Sequence, residues 1–125
     1  MTDCSDCTIL LLDDEPLILM DLEFAVEDKG CAALCSSTVQ QAIDLLEQTE
    51  TIHVAILDVT LQDGETCVPV ARALEQRGIP FVLHSGDLDR QDETVRDLDA
   101  ELIAKPSSAD SVIRRALDFS ERTRA

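Results

Sequence analysis

The sequence predicts a doubly wound α/β fold, one five-stranded parallel sheet with helices on both faces. Two observations point to it. Short apolar runs alternate with amphipathic stretches along the whole chain, at 8–12, 31–35, 53–57, 81–83 and 102–104. Most of these runs also lack strict apolar–polar alternation, as strands buried on both faces do. At 125 residues the chain is the length of one domain, and no repeat, linker or low-complexity segment divides it. The expected organisation is a tail at 1–7, a domain at 8–121 and a tail at 122–125.

The elements follow in order. The run at 8–12 ends in Asp13-Asp14-Glu15, and Pro16 suits the first turn of a helix that reaches about Lys29, where Gly30 stops it. The run at 31–35 is the weakest and suits a strand nearer an edge. Val39, Ala42, Ile43 and Leu46 then form one helical stripe, capped by Ser37 or Thr38 with Gln40 or Gln41 three residues on. Val68, Ala71 and Leu74 mark a third helix ending near Gly78. A fourth is expected over about 88–99, and it is poor, with only Leu88, Val95 and Leu98 apolar among many charges. Val112, Ile113, Ala116 and Leu117 form the last stripe, after Ser107 with Asp110 as its capping-box partner.

Composition narrows the function. Ten Lys+Arg against 26 Asp+Glu give a formal charge of −16. Such a surface repels nucleic acid and anionic lipid and suits a basic protein surface or a divalent cation. No apolar run approaches the roughly 20 residues of a membrane span. Met1-Thr2-Asp3-Cys4 lacks the basic and apolar regions of a signal peptide, and five cysteines cannot all pair within one chain, so a reducing cytoplasm is expected. Cys4 and Cys7 have CxxC spacing without a second pair, which reads as a frayed tail carrying two thiols rather than a metal or redox site. Cys31, Cys35 and Cys67 read as small core fillers.

In open α/β sheets the ligand crevice lies beyond the carboxyl ends of the strands. The residues there are Asp13-Asp14-Glu15, Asp58, Ser85-Gly86 and Lys105-Pro106. Singly they are ordinary: an Asp after a strand is often a helix cap, and Lys105 could be a solvated cation. Together, at four strand ends, they depend on one another. Two carboxylates ~4 Å apart repel by about 4 kcal/mol at an effective dielectric of about 20, so the cluster needs a cation or a raised pKa. Mg²⁺, a hard ion using carboxylates, waters and phosphate oxygens, answers that need. Asp58 could then attack a phosphoryl donor in line, with Lys105 and Ser85 on the phosphoryl oxygens and Gly86 leaving room.

Ile9-Leu10-Leu11-Leu12-Asp13-Asp14-Glu15-Pro16, Ile56-Leu57-Asp58-Val59, Leu61-Gln62-Asp63-Gly64, Ser85-Gly86 and Lys105-Pro106 resemble the motifs of response-regulator receiver domains, in order, from Thr8 to Glu121. The resemblance implies strand order 2-1-3-4-5, Asp58 as phosphoacceptor, and Asp13, Asp14, Asp58 and the Thr60 carbonyl as Mg²⁺ ligands. It implies Ser85 as the switch hydroxyl, a histidine kinase or histidine phosphotransfer protein as donor, and a downstream protein target. With no effector domain after the last helix, it also implies a single-domain regulator that is not an enzyme in the ordinary sense.

One departure is clear. Receivers usually carry Tyr or Phe three residues before the lysine, and here that position is Leu102, so an aromatic switch cannot operate. The stretch Pro80-Phe81-Val82-Leu83-His84-Ser85-Gly86 resembles a branch of receivers without that switch, which places the moving element over 85–99. His84 and His53 read as structural. The alternatives are a pseudo-receiver that binds partners without phosphorylation, and an aspartyl phosphatase. The phosphatase would need an acid where Thr60 stands.

Overall fold

The computed structural model describes residues 7–59, 61, 65–85, 101–105 and 108–124. The five apolar runs are five strands: β1 (Thr8–Leu12), β2 (Ala32–Ser36), β3 (Val54–Asp58), β4 (Phe81–Ser85) and β5 (Glu101–Ala104). They pair in parallel in the order β2-β1-β3-β4-β5, as expected. The weak run, β2, is an edge strand, largely half-exposed.

The missing period-two pattern has a direct cause. Alternate strand residues feed two separate cores, so both faces must be apolar. Ile9, Leu11, Val54, Ile56, Val82 and Ile103 pack on one side. Leu10, Leu12, Ala55, Leu57, Phe81 and Leu83 pack on the other. The helices α1 (Pro16–Asp28) and α4 (Ala109–Arg124) cover the first side through Leu22, Val26, Val112, Ile113 and Ala116. The helices α2 (Val39–Gln48) and α3 (Val68–Gln76) cover the second through Ala42, Leu46, Val70, Ala71 and Leu74. The helix expected over 88–99 lies outside the described residues.

Helix ends follow local chemistry. Gly30 and Gly78, at φ 79° and 70°, take the left-handed turns after α1 and α3. Thr38 rather than Ser37 caps α2, its hydroxyl accepting from the Gln41 N–H at 3.1 Å, while Gln41 Oε1 accepts from the Ser37 N–H at 2.9 Å. At α4 the described cap is Ser108, which accepts from the Ser111 N–H at 3.2 Å. Ser107 lies outside the described residues, and so does its expected capping box with Asp110. The Asp110 carboxylate takes Lys29 Nζ at 2.8 Å and Arg114 Nε at 2.8 Å, tying α1 to α4. Those two hydrogen bonds hold the Asp110 carboxyl below its ordinary range.

His53 is structural: its N–H donates to the Thr8 carbonyl at 2.8 Å and its Nδ1 accepts from the Thr8 N–H at 3.0 Å, fixing the start of β1. Cys67 is buried, and Cys31 and Cys35 are half-buried against the core. Cys7 does not fray. It is half-buried, and its carbonyl accepts from the Ala32 N–H at 2.8 Å, while Cys4 lies outside the described residues. Among the described residues no helix is long and apolar enough to cross a membrane.

Candidate functional site

The register brings the acids together. Leu12 pairs with Leu57, so the next step along both strands sets Asp13 beside Asp58 at the carboxyl end of the sheet. Both are buried, at 1 % and 5 % exposure, and Asp14 is half-buried beside them. Ligand oxygens of Asp13, Asp14 and Asp58 all lie within 4.8 Å of one another.

Each group is held by a separate element. The Asp13 N–H donates to the Ser36 carbonyl at 3.1 Å, anchoring the turn to β2. Its Oδ1 accepts from the Glu15 N–H at 2.9 Å, so one oxygen does serve the start of α1. Its Oδ2 remains for the site, 3.2 Å from Lys105 Nζ. Lys105 follows β5 and reaches Asp58 Oδ1 at 3.4 Å and the exposed Glu15 at 3.8 Å.

One ammonium does not balance this acid cluster. Burial, then the charge of Asp13, pushes the Asp58 carboxyl up to about 7; Lys105 opposes the rise, and a hydrogen bond with Asp14 adds to it. Burial pulls the Lys105 ammonium down, but Asp13 and Asp58 outweigh it and hold its pKa above the ordinary lysine value. The metal-free pocket therefore retains a proton near neutrality that a dication would displace. The donor set is all oxygen and partly pre-assembled, which fits a hard divalent ion.

Of the residues singled out in the sequence, Asp13, Asp14, Asp58 and Lys105 converge. Ser85 closes β4 in register with Ala104. Thr60 and Gly86 lie outside the described residues. Leu102 is half-buried against the α2–α3 core, in register with Leu83. Two residues that read as structural in the sequence are neighbours of the pocket. His84 is buried and in register with Asp58. Cys67 lies near enough that burial, and then the Asp58 charge, drives its thiol up to about 12.

No known family model matches the chain. It is 30% identical over 121 residues to the phyllosphere-induced regulator PhyR of Methylorubrum extorquens, an alignment covering 93% of this chain and 45% of PhyR. The chain thus spans less than half the length of that curated relative. SdrG from Sphingomonas melonis is 38% identical, with 97% of this chain and 99% of SdrG covered and a TM-score of 0.73. A response regulator receiver protein from Sinorhizobium medicae is 26% identical, covering 94% and 96%, with a TM-score of 0.80. The chain is a response regulator receiver domain. The receiver's acidic pocket is Asp13, Asp14 and Asp58, an arrangement consistent with the metal site of such domains. As a receiver it belongs to a class of signalling modules.

Proposed function

We propose that this receiver accepts a phosphoryl group on Asp58 from a histidine-bearing donor, with Mg²⁺ held by Asp13, Asp14, Asp58 and the Thr60 carbonyl. The observation that carries the reading is the convergence of three carboxylates within 4.8 Å, with Lys105 at 3.2 and 3.4 Å from two of them. Bound there, Mg²⁺ would supply charge neutralisation to the carboxylates and to the phosphoryl oxygens. Asp58 gives up its proton, and its oxygen attacks phosphorus as the donor's P–N bond breaks, leaving an acyl phosphate. Lys105 then exchanges a carboxylate for a phosphoryl oxygen, and Ser85 donates a hydrogen bond to another. The phosphorylated domain acts through a protein contact or passes the group on. Beryllofluoride with Mg²⁺ should form the acyl-phosphate mimic and shift amide resonances around Asp13, Asp58 and Lys105. A spectrum that does not respond would favour a pseudo-receiver.

The donor's docking surface fits the exposed side of α1. Leu17, Met20 and Phe24 are 72 %, 43 % and 59 % exposed and fall at i, i+3 and i+7, one apolar strip that starts beside the acidic turn. Asp21, Glu27 and Asp28 flank it, so the partner surface that fits is apolar with a basic rim, such as a helix presenting its phosphohistidine. Phe24→Glu should slow transfer from the protein donor by at least tenfold and leave phosphorylation by acetyl phosphate unchanged. Equal losses with both donors would place docking elsewhere.

A further inference from the structure

Asp58 and His84 are register partners on adjacent strands, in the row that closes β3. Two residues earlier, Ile56 and Val82 face the α1–α4 side, so Asp58 and His84 face that side too. Neighbouring strands lie about 4.8 Å apart, which puts an imidazole within side-chain reach of the phosphoacceptor.

His84 is only 4 % exposed, and neither Nδ1 nor Nε2 has a hydrogen-bond partner among the described residues. Burial, and then the nearby Lys105 charge, lowers its pKa to about 4, so the ring is neutral and carries one N–H and one lone pair. A buried imidazole with both positions empty costs stability that an apolar side chain of similar size would not. A state of the protein that brings an acceptor to the ring would recover that cost. The acyl phosphate brings exactly one new feature to this row, a set of acceptor oxygens on the adjacent strand end.

We propose that His84 is a phosphoryl-positioning residue, whose unpaired ring N–H donates to the phosphorylated Asp58 group and helps to hold that state. The proposal rests on Asp58 being the phosphoacceptor. It complements Lys105, because an ammonium supplies charge with little direction, whereas an imidazole N–H is directional.

The test combines imidazole ¹⁵N NMR of the wild-type chain with two variants, using Mg²⁺ and beryllofluoride as the probe. In the free protein the ring should show a neutral, unbonded N–H, and beryllofluoride should shift that proton and its nitrogen downfield as a hydrogen bond forms. His84→Phe should raise the thermal midpoint of the free protein yet weaken beryllofluoride binding about tenfold. His84→Gln, which keeps a donor, should recover most of that affinity. A purely structural histidine would move stability and affinity in the same direction. The proposal is overturned if the ring N–H is already bonded in the free protein, if its resonances ignore beryllofluoride, or if His84→Phe binds the probe as tightly as wild type. Should the wild type fail to bind, or Asp58→Asn bind equally, the phosphoacceptor assignment itself fails and this inference falls with it.

Discussion

Lys105→Ala is expected to destabilise the metal-free receiver by about 3 kcal/mol near pH 8, the lower end of what removing one partner of a buried ion pair costs. The side chain is 14% exposed and its Nζ lies 3.2 Å from Asp13 and 3.4 Å from Asp58, two carboxylates that are nearly inaccessible. Without the ammonium they face each other with nothing between them. Because the lysine's pKa is raised, its charge persists throughout the neutral range; the loss should hold from about pH 7 to 9 and shrink below about 7, where Asp58 takes up a proton. Saturating Mg²⁺ should return most of the stability, since a dication replaces the missing charge. Mg²⁺ affinity itself should be equal or tighter, because a competing cation has gone, while the phosphorylated or beryllofluoride-bound state is impaired. Urea denaturation with and without Mg²⁺, beside a Mg²⁺ titration, separates these effects. A large loss of Mg²⁺ affinity in a folded variant would contradict the assigned role.

Asp58→Asn should do the opposite and stabilise the metal-free protein near pH 8 by on the order of 2 kcal/mol. The carboxyl's folded value of about 7 lies above its ordinary 3.8, with burial and Asp13 as the leading causes. Between those values the folded chain binds more proton than the unfolded one. Wild-type stability therefore falls as pH rises from about 4 to about 7, and it stays lost above. An amide does not titrate, so the variant's advantage should shrink toward zero as pH approaches 4. Mg²⁺ should stabilise wild type far more than the variant. If Asp58→Asn is the less stable protein near pH 8 without metal, the carboxylate is compensated in a way the geometry does not reveal.

What the sequence made legible was mostly local or periodic. Leu12-Asp13 and Leu57-Asp58 announce where apolar strands end, and strand ends are where an open α/β sheet gathers its ligands, so the pocket could be assembled before its distances were known. Pro16, Gly30 and Gly78 punctuate their helices through backbone constraints that belong to single residues. Properties that need a distant partner were not legible. The spacing of Asp110 said nothing of its bond to Lys29, 81 positions away. The α1 sequence is apolar enough on several sides that only the packed structure reveals Leu17, Met20 and Phe24 as the uncovered strip. His84 was visible at a strand end, yet whether its ring nitrogens find partners depends on what lies across the sheet. The switch expected over 85–99 falls largely outside the described residues and remains a proposal resting on Leu102 in place of an aromatic lever.

The most direct measurement is the position of the phosphoryl group. The chain is incubated with acetyl phosphate and Mg²⁺, the acyl phosphate is trapped with borohydride, and the modified residue is located by peptide mass mapping. The account predicts a single reduced residue at Asp58, no modification when Mg²⁺ is chelated, and none in Asp58→Asn. Modification at Asp13 or Asp14 instead, or an undiminished adduct in Asp58→Asn, would contradict it.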